Sequence, residues 1–220
     1  KGDYRAKKVL ANLVPPTIAK LVGNLPTPAA VETYTQKLGQ GWGAGMLYLI
    51  LKDNENLPEH AHHYQCIATD APKLQEGYHI FCSLSGRQES HKHPTGYRTA
   101  TVSTHIPMTT QLGLPDKSAK ATYTQQVQDQ MRATLADRLP EIHNAIDKEY
   151  PGSPRTYQRF TGREQGFVGG LPRTQGWHNY GGLIPTPLYP NLWMIGDTAF
   201  PGQSTLATAL GGIRTARWVC

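Results

Sequence analysis

The sequence predicts a mixed α/β protein whose middle part holds a mainly antiparallel sheet. Three features support this. Four strand-like segments are separated by polar loops, a long stretch with an apolar residue at every fourth position follows them, and a strand–turn–helix pattern lies near the C-terminus. Strands joined by loops favour antiparallel pairing, because parallel neighbours need a long crossover connection.

The sheet is expected to contain four segments. "GAGMLYLIL" is apolar on both sides, which is typical of a strand that lies inside a sheet. "YHIFCSLS" places Ile80, Cys82 and Leu84 on one face, the period of a strand with one buried side. The four predicted strands span residues 43–51, 62–69, 78–85 and 97–106.

Helices are expected before and after these strands. Short ones are predicted at 17–22 and 29–39, and Ser118 is expected to cap a long helical stretch whose apolar stripe runs to Ile146. Pro140 interrupts this stretch and predicts a kink or two consecutive helices. "RTYQRFT" (155–161) is expected to be a short strand or an extended segment.

The most informative stretch is "NLWMIGDTAFPGQSTLATALGGIRTARWV". Residues 192–195 predict a buried strand, and either Ser204 or Thr205 is expected to cap a helix over 205–218. Gly211 and Gly212 inside that helix cost roughly 1 kcal/mol each relative to Ala. Their presence indicates close approach of another backbone or of a flat ligand.

This arrangement suits the binding of an anion or a cofactor. The N-terminus of a helix favours an electron-rich or anionic group, and Asp197, just after the strand, can accept hydrogen bonds from sugar or ribitol hydroxyls. The same pattern also fits an ordinary strand-to-helix turn of an α/β domain, so alone it leaves both readings open.

The stretch "LWMIGDTAFPGQSTLATALGGIRTA" resembles the C-terminal flavin motif of the FAD-dependent oxidoreductases related to phytoene desaturase, carotenoid isomerase and the amine oxidases. It is most similar to the carotenoid desaturase and isomerase branch. The resemblance implies FAD as the cofactor, with Gly196 and Asp197 at its central part and Asn12 near the flavin; for Asn12, the end of an edge strand is an equally good reading. It also implies that the N-terminus of the following helix faces the flavin ring. The residues of this end are Gln203, Ser204, Thr205, Leu206 and Ala207.

Weaker similarity at 7–16, 77–86, 93–106 and 152–172 extends the resemblance along almost the whole chain. It implies that residues 1–22 and 166–220 are parts of a Rossmann-like FAD domain and that residues 23–165 form the substrate domain. Strands 7–14 and 192–195 are then expected to lie in one sheet.

The phosphate-binding loop of such proteins is not found. Proteins of this type hold the pyrophosphate with G-x-G-x-x-G between a strand and a helix. The Gly-rich segment "GQGWGAG" (39–45) lacks that spacing. The chain is therefore expected to be the C-terminal part of a longer protein whose N-terminal half binds the ADP end of FAD.

Charge, hydropathy and cysteine content limit the kinds of partner and the cellular location expected for the protein. The formal charge of +6 fits a nucleotide cofactor or an anionic membrane surface, and no apolar run approaches the ~20 residues of a spanning helix. Three cysteines without a CxxC motif favour a reducing compartment. A peripheral membrane enzyme on the cytoplasmic or plastid side is expected, with Arg87, Lys92 and Arg98 as candidate membrane contacts. Nucleic acid is not an expected partner, because the basic loop lacks interleaved aromatic residues.

Other signals favour no separate site. The histidines at 60–63 with His91 and His93 lack the companion ligands of a known metal-site spacing, so no metal is predicted. Trp177, His178 and Tyr180 are candidates for lining a pocket, and residues 166–172 are Gly-rich enough to approach a ligand.

No catalytic side chain is assigned, because the flavin itself carries out hydride chemistry. The expected function is desaturation or cis–trans isomerisation of a carotenoid, with desaturation slightly favoured. An amine-oxidase-like enzyme acting on a polar substrate and an inactive, truncated binding module are the alternatives.

Overall fold

A computed structural model describes residues 3–172 and 183–219. The chain divides into two compact units, a terminal unit (Lys1–Trp42 with Gly162–Cys220) and a central unit (Gly43–Thr161). Mixed helix and strand with a mainly antiparallel larger sheet confirm the predicted class. The division falls at 42/43 and 161/162, whereas the sequence placed it at 22/23 and 165/166; the FAD-domain and substrate-domain roles of the segments stay predictions.

The elements of the described residues are as follows. The strands are β1 (Val9–Ala11), β2 (Trp42–Lys52), β3 (His62–Ile67), β4 (His79–Leu84), β5 (Tyr97–Pro107), β6 (Ile146–Gly152) and β7 (Leu192–Met194). The helices are α1 (Pro15–Val22), α2 (Ala29–Gly39), α3 (Met108–Gly113), α4 (Lys117–Arg138), α5 (Pro140–Asn144), α6 (Pro154–Thr161) and α7 (Thr205–Val219).

The larger sheet has five strands in the order β3-β4-β5-β2-β6. All four predicted strands are present, and β2 has a neighbour on each side, as its apolar sequence indicates. The fifth, β6, was not predicted. It is an edge strand whose residues, "IDKEYPG", are mostly exposed and include three charged ones, so no apolar alternation marks it.

Helix α4 covers one face of this sheet through the predicted stripe. Val127, Met131 and Leu135 are buried against the inward residues of β2, β4 and β5. The prediction of two helices around Pro140 is confirmed, but the helical region ends before Ile146, which begins β6. The predicted cap Ser118 is wrong by two positions: the Asp116 side chain accepts the Ala119 N–H at 2.8 Å.

The extended segment predicted at 155–161 is helix α6 instead. Pro154 begins the helix, where its missing N–H costs nothing. The Ser153 hydroxyl accepts the Thr156 N–H at 3.2 Å, which is the contact of an N-terminal cap. The aromatic and β-branched residues Thr156, Tyr157 and Phe160 favoured a strand in the sequence, and this local cap outweighs that preference.

Gly77 is the point where the loop before β4 touches α4. Its φ is +91°, and a Cβ added there would lie 2.7 Å from both the Met131 nitrogen and the Val127 oxygen. The Gly77 N–H donates to Thr104 Oγ1 at 2.9 Å, and Thr134 Oγ1 donates to the Gly77 carbonyl at 2.7 Å. Only glycine meets both demands, close backbone approach and a left-handed conformation.

Arg98, which the sequence offered as a membrane contact, is completely buried. Its guanidinium donates to the Ser85 carbonyl at 2.7 Å and to the Pro58 carbonyl at 2.9 Å, and Nη1 lies 3.4 Å from Asp53 Oδ1. A buried guanidinium cannot reach a lipid headgroup, so this expectation is wrong. Alternation along β5 turns this arginine inward, where carbonyl oxygens of neighbouring loops satisfy it.

The other two basic candidates are paired with carboxylates. Arg87 donates to Asp53 Oδ2 at 2.7 Å, and Lys92 lies 2.5 Å from Glu89. The Arg87 hydrogen bond, with help from the Arg98 charge, holds the pKa of Asp53 below its ordinary value of 3.8. The Asp53 charge therefore adds stability above pH 3.8 that is lost as the pH falls through the lowered value.

The terminal unit joins the two ends of the described chain. Strand β1 pairs with β7 in parallel, Val9 opposite Leu192 and Ala11 opposite Met194, which confirms the prediction that these segments share a sheet. Ile18 of α1 and Val31 of α2 pack with Leu188 and Tyr189 in a small core beside this pair. In the part of the chain that the structure describes, no helix has the length and hydrophobicity to cross a membrane.

Replacing Gly77 with alanine is expected to destabilise the protein strongly. Gly96 is the matched control, because its φ is +82° but no atom lies within 4 Å of an added Cβ. Gly96→Ala should cost about 1–2 kcal/mol for the left-handed backbone alone, and Gly77→Ala about 2 kcal/mol more because the backbone of α4 must also shift. Urea unfolding of both variants measures the difference, and equal losses would contradict the close approach.

Replacing Arg98 with methionine is expected to cost about 3–5 kcal/mol of unfolding free energy, because two buried carbonyls lose their donor and Asp53 keeps only Arg87. Arg87→Met removes the other arginine from the same Asp53, but this side chain is 44% exposed, so the loss should be much smaller. Denaturant unfolding at neutral pH compares the two; similar small losses would show that the Arg98 network contributes little.

Candidate functional site

The candidate site begins where the two strands of the terminal unit end. The Ile195 N–H donates to the Ala11 carbonyl at 2.9 Å and extends the parallel register of β1 and β7 by one residue. Asn12 therefore follows β1 at the same edge where Gly196 and Asp197 follow β7. Ligands of parallel sheets bind outside the carboxyl ends of the strands, and this is such an edge.

Asn12 and Gly196 are in direct contact. Gly196 has a φ of +95°, and a Cβ added there would lie 2.0 Å from Asn12 Oδ1. The glycine thus allows the Asn12 side chain to lie against the backbone of the turn. The sequence predicted both residues as cofactor contacts; the structure brings them together, and the cofactor role stays a prediction.

The Asp197 carboxylate is held by Arg163. Arg163 Nη1 donates to Asp197 Oδ1 at 3.0 Å, and Thr198 Oγ1 donates to the same oxygen at 3.4 Å. The two charged side chains are 16% and 25% exposed, so solvent screens this pair less than an ion pair on the open surface. Gly170 packs on the same residue: a Cβ there would lie 2.0 Å from the Asp197 carbonyl oxygen.

The segment around Gly170 connects Asp197 with the start of α7. Gln203 Nε2 donates to the Leu171 carbonyl at 3.0 Å, and an added Cβ at Gly169 would lie 3.9 Å from the Gln203 side chain. The Gly-rich residues were expected to approach a ligand. Gly170 instead approaches the Asp197 backbone, and the Gln203 amide is already bonded to this segment.

The N-terminus of α7 has the predicted cap. Of the two candidates, Ser204 is the one that acts: its hydroxyl accepts the Ala207 N–H at 3.0 Å. Thr205 and Leu206 are exposed and Ala207 is half-buried. The first N–H groups of a helix have no intrahelical acceptor, so this end presents donors and a positive dipole end to any group placed beside it.

The two glycines of α7 differ in what surrounds them. An added Cβ at Gly211 would lie 3.1 Å from the Phe200 carbonyl, whereas Gly212 has nothing within 4 Å. The close partner predicted for Gly211 is therefore backbone. The buried residues of α7 are Gly211, Thr215 and Val219. An open groove of about 460 Å³ is lined by Pro201, Leu210, Ile213, Arg214, Arg217 and Trp218.

The sequence did not identify Arg163 or Gly170 as members of this site. Arg163 lies in "TGREQGF", where neither periodicity nor a neighbouring motif distinguishes it from a surface arginine. Gly170 was covered only as part of a Gly-rich segment. Trp177, His178 and Tyr180, the predicted pocket residues, lie outside the described residues.

Residues 3–172 and 183–219 contain no group of three or more His, Cys, Asp or Glu side chains arranged to hold a metal ion. His63 of the histidine run stacks on Phe81, and its Nδ1 lies 3.0 Å from Ser83 Oγ. His60 Nδ1 lies 3.0 Å from the Gln88 amide.

Comparison with known proteins gives relatives of one kind. The chain is 25% identical to the chloroplastic prolycopene isomerase of Arabidopsis thaliana and 24% identical to that of Daucus carota, in each case over 99% of its own length. It is 31% identical over 42% of its length to prolycopene isomerase 2 of an Oncidium hybrid cultivar. No family model matches the chain.

The chain spans 37% and 36% of the length of the first two relatives and 16% of the third. The predicted resemblance to the carotenoid desaturase and isomerase family is confirmed: along nearly its whole length, this chain is a relative of prolycopene isomerases.

Proposed function

We propose that this chain is the C-terminal part of an FAD-dependent oxidoreductase that acts on carotenoids. The observation that carries the proposal is the meeting of Asn12, Gly196 and Asp197 at the carboxyl ends of two parallel strands, in the stretch that resembles the flavin motif. Similarity to prolycopene isomerases over 99% of the chain supports the substrate class and favours isomerisation over desaturation.

The donor set of this edge suits FAD. Asp197 presents a carboxylate for the hydroxyls of a ribityl chain, and the capped N-terminus of α7 presents amide donors to an electron-rich ring. Asn12 adds an amide beside the same turn. Bound there, the flavin would supply hydride chemistry, while these residues bind and orient it. Thr205 and Leu206 would contribute through their backbone N–H groups, whereas the Ser204 hydroxyl caps the helix.

The pyrophosphate end of the cofactor would be held by another segment of the complete protein. Residues 39–45 do not have the spacing of a phosphate loop, and the relatives are much longer than this chain. Its N-terminal FAD-binding half is thus a proposed partner of this chain, and the chain alone should bind FAD weakly.

The proposed substrate is a long hydrocarbon that is stored in a membrane, so we propose that the enzyme works at a membrane surface. The two relatives that align over nearly the whole chain are named as chloroplastic, which supports a plastid location. Of the three basic candidates for the membrane contact, Arg98 is buried and is excluded, whereas Arg87 and Lys92 are partly exposed beside carboxylates and stay candidates.

In the complete protein, Asp197→Ala is expected to weaken FAD binding. A lost hydrogen bond to a charged group costs about 1.5–3 kcal/mol, or roughly 10–150-fold in Kd. Asp129→Ala is the matched control, since it breaks another arginine–aspartate pair, in which Asp129 Oδ1 lies 2.6 Å from Arg132 Nη1. Fluorescence titration of FAD measures both, and unchanged affinity in Asp197→Ala would remove Asp197 from the site.

The complete protein, incubated with FAD and liposomes, is expected to isomerise a cis-carotene and to leave common amines untouched. Changed cis bands in the carotene absorption, without a shift to longer wavelength, are the expected readout; such a shift would instead indicate added double bonds and desaturation. Release of peroxide from amines would favour the amine-oxidase alternative. Failure to bind FAD and to change any substrate would favour the binding module.

A further inference from the structure

Among the described residues, hydrogen bonds hold Asp197 through one of its two oxygens. Arg163 Nη1 and Thr198 Oγ1 both donate to Oδ1, at 3.0 Å and 3.4 Å. Among residues 3–172 and 183–219, no hydrogen bond reaches Oδ2. One oxygen is therefore fixed by the protein, and the other remains available to a hydroxyl from outside.

Arg163 reaches Asp197 from a turn that is itself anchored. Its Nε donates to the Phe167 carbonyl at 2.8 Å, and Phe167 is buried. The Glu164 carboxylate beside it lies 2.6 Å from Lys20 Nζ. The Phe167 bond sets the plane of the guanidinium, so Nη1 is directed at Asp197 before any ligand binds.

We propose that Arg163 is a positioning residue, which fixes the Asp197 carboxylate so that Oδ2 faces a hydroxyl of the cofactor's polyol chain; this inference rests on the proposed function. A carboxylate that is already held loses less conformational freedom when a ligand binds. Arginine suits this task because its planar guanidinium donates in two directions at once, to Phe167 and to Asp197. Lysine could supply the charge at Oδ1 but not both bonds.

A purely structural role predicts a different behaviour. If Arg163 only tied the 162–167 turn to Asp197, its loss would lower the stability of the protein without changing how the carboxylate meets the cofactor. If Arg163 bound the cofactor by itself, its loss would add to the loss of Asp197. A positioning role predicts that removing Arg163 has no further effect once Asp197 is gone.

The test is a double-mutant cycle in the complete protein, with FAD as the probe. Arg163→Gln is expected to raise the Kd for FAD about tenfold, and the double variant Arg163→Gln/Asp197→Ala should match Asp197→Ala within about twofold. Arg163→Lys should lie between the parent and Arg163→Gln. Arg132→Gln, which removes another arginine paired with an aspartate, should leave the Kd unchanged.

Visible circular dichroism of the bound flavin and thermal unfolding of the FAD-free protein complete the test. Arg163→Gln and Asp197→Ala should change the flavin spectrum in the same way. If Arg163→Gln does not fold, Arg163→Lys carries the test through a several-fold higher Kd.

Three outcomes would overturn the inference. The first is unchanged FAD affinity in Arg163→Gln, even if its melting temperature falls. If only Arg163→Lys folds, unchanged affinity in that variant counts in the same way. The second is a double variant whose Kd for FAD rises by the product of the two single-variant increases. In both cases the parent binds FAD and the proposed function stands, whereas a parent that does not bind FAD overturns both proposals.

Discussion

The parallel pairing of β1 with β7 is the constraint on which the candidate site depends. The pair joins residues from near opposite ends of the chain, Val9 with Leu192, so its formation requires the closure of a very long loop. The central unit, a contiguous segment from Gly43 to Thr161, lies within that loop in sequence. Because side chains alternate along a strand, a shift of the register by one residue would move Asn12 away from Gly196 and reverse the faces of both strands.

The central unit follows a simpler rule, in which one helix covers one sheet face. Residues of α4 at every fourth position meet the inward residues of β2, β4 and β5, and this burial supplies the main apolar core of the unit. At Gly77 the buried backbone polar groups are bonded, the N–H to Thr104 and the carbonyl to Thr134. The close approach at Gly77 shows how the loop before β4 is fixed to the helix by backbone shape as well as by apolar contact.

Much of this fold could be predicted from the sequence, because an element with a buried face has apolar residues at regular spacing. The strands at 43–51 and 97–106 and the stripe from Val127 to Leu135 show it clearly, and the structure has all of them. Strand β6 was not predicted, because an exposed edge strand has no such spacing of apolar residues. Helix α6 was predicted as an extended segment, because the sequence preference of its aromatic residues is outweighed by the cap at Ser153. Arg98 was misjudged for the reverse reason, since charge suggests exposure until the surrounding carbonyl groups are known.

The candidate site was predictable only where a motif marks it. Gly196, Asp197 and the cap at Ser204 lie in one continuous stretch, whose order predicts a strand-to-helix turn and whose resemblance to a flavin motif implies the cofactor role. Arg163 comes from a different segment, and its partner becomes visible only when the fold is known. Sequence patterns record contacts along an element, whereas a contact between distant turns leaves no spacing to detect.

Two of the arginine–aspartate contacts among the described residues, those at Asp53 and at Asp197, show how a structural pair differs from one that can serve a ligand. Both Asp53 oxygens receive hydrogen bonds, Oδ2 from Arg87 and Oδ1 from Arg87 and Arg98, so this carboxylate has little left to offer. Asp197 receives its hydrogen bonds from described residues at Oδ1 only. Charge and pairing are alike in the two cases, so neither property separates them. What separates them is Asp197 Oδ2, which receives no hydrogen bond from the described residues and lies at the end of a parallel strand, where a ligand of this fold would be expected.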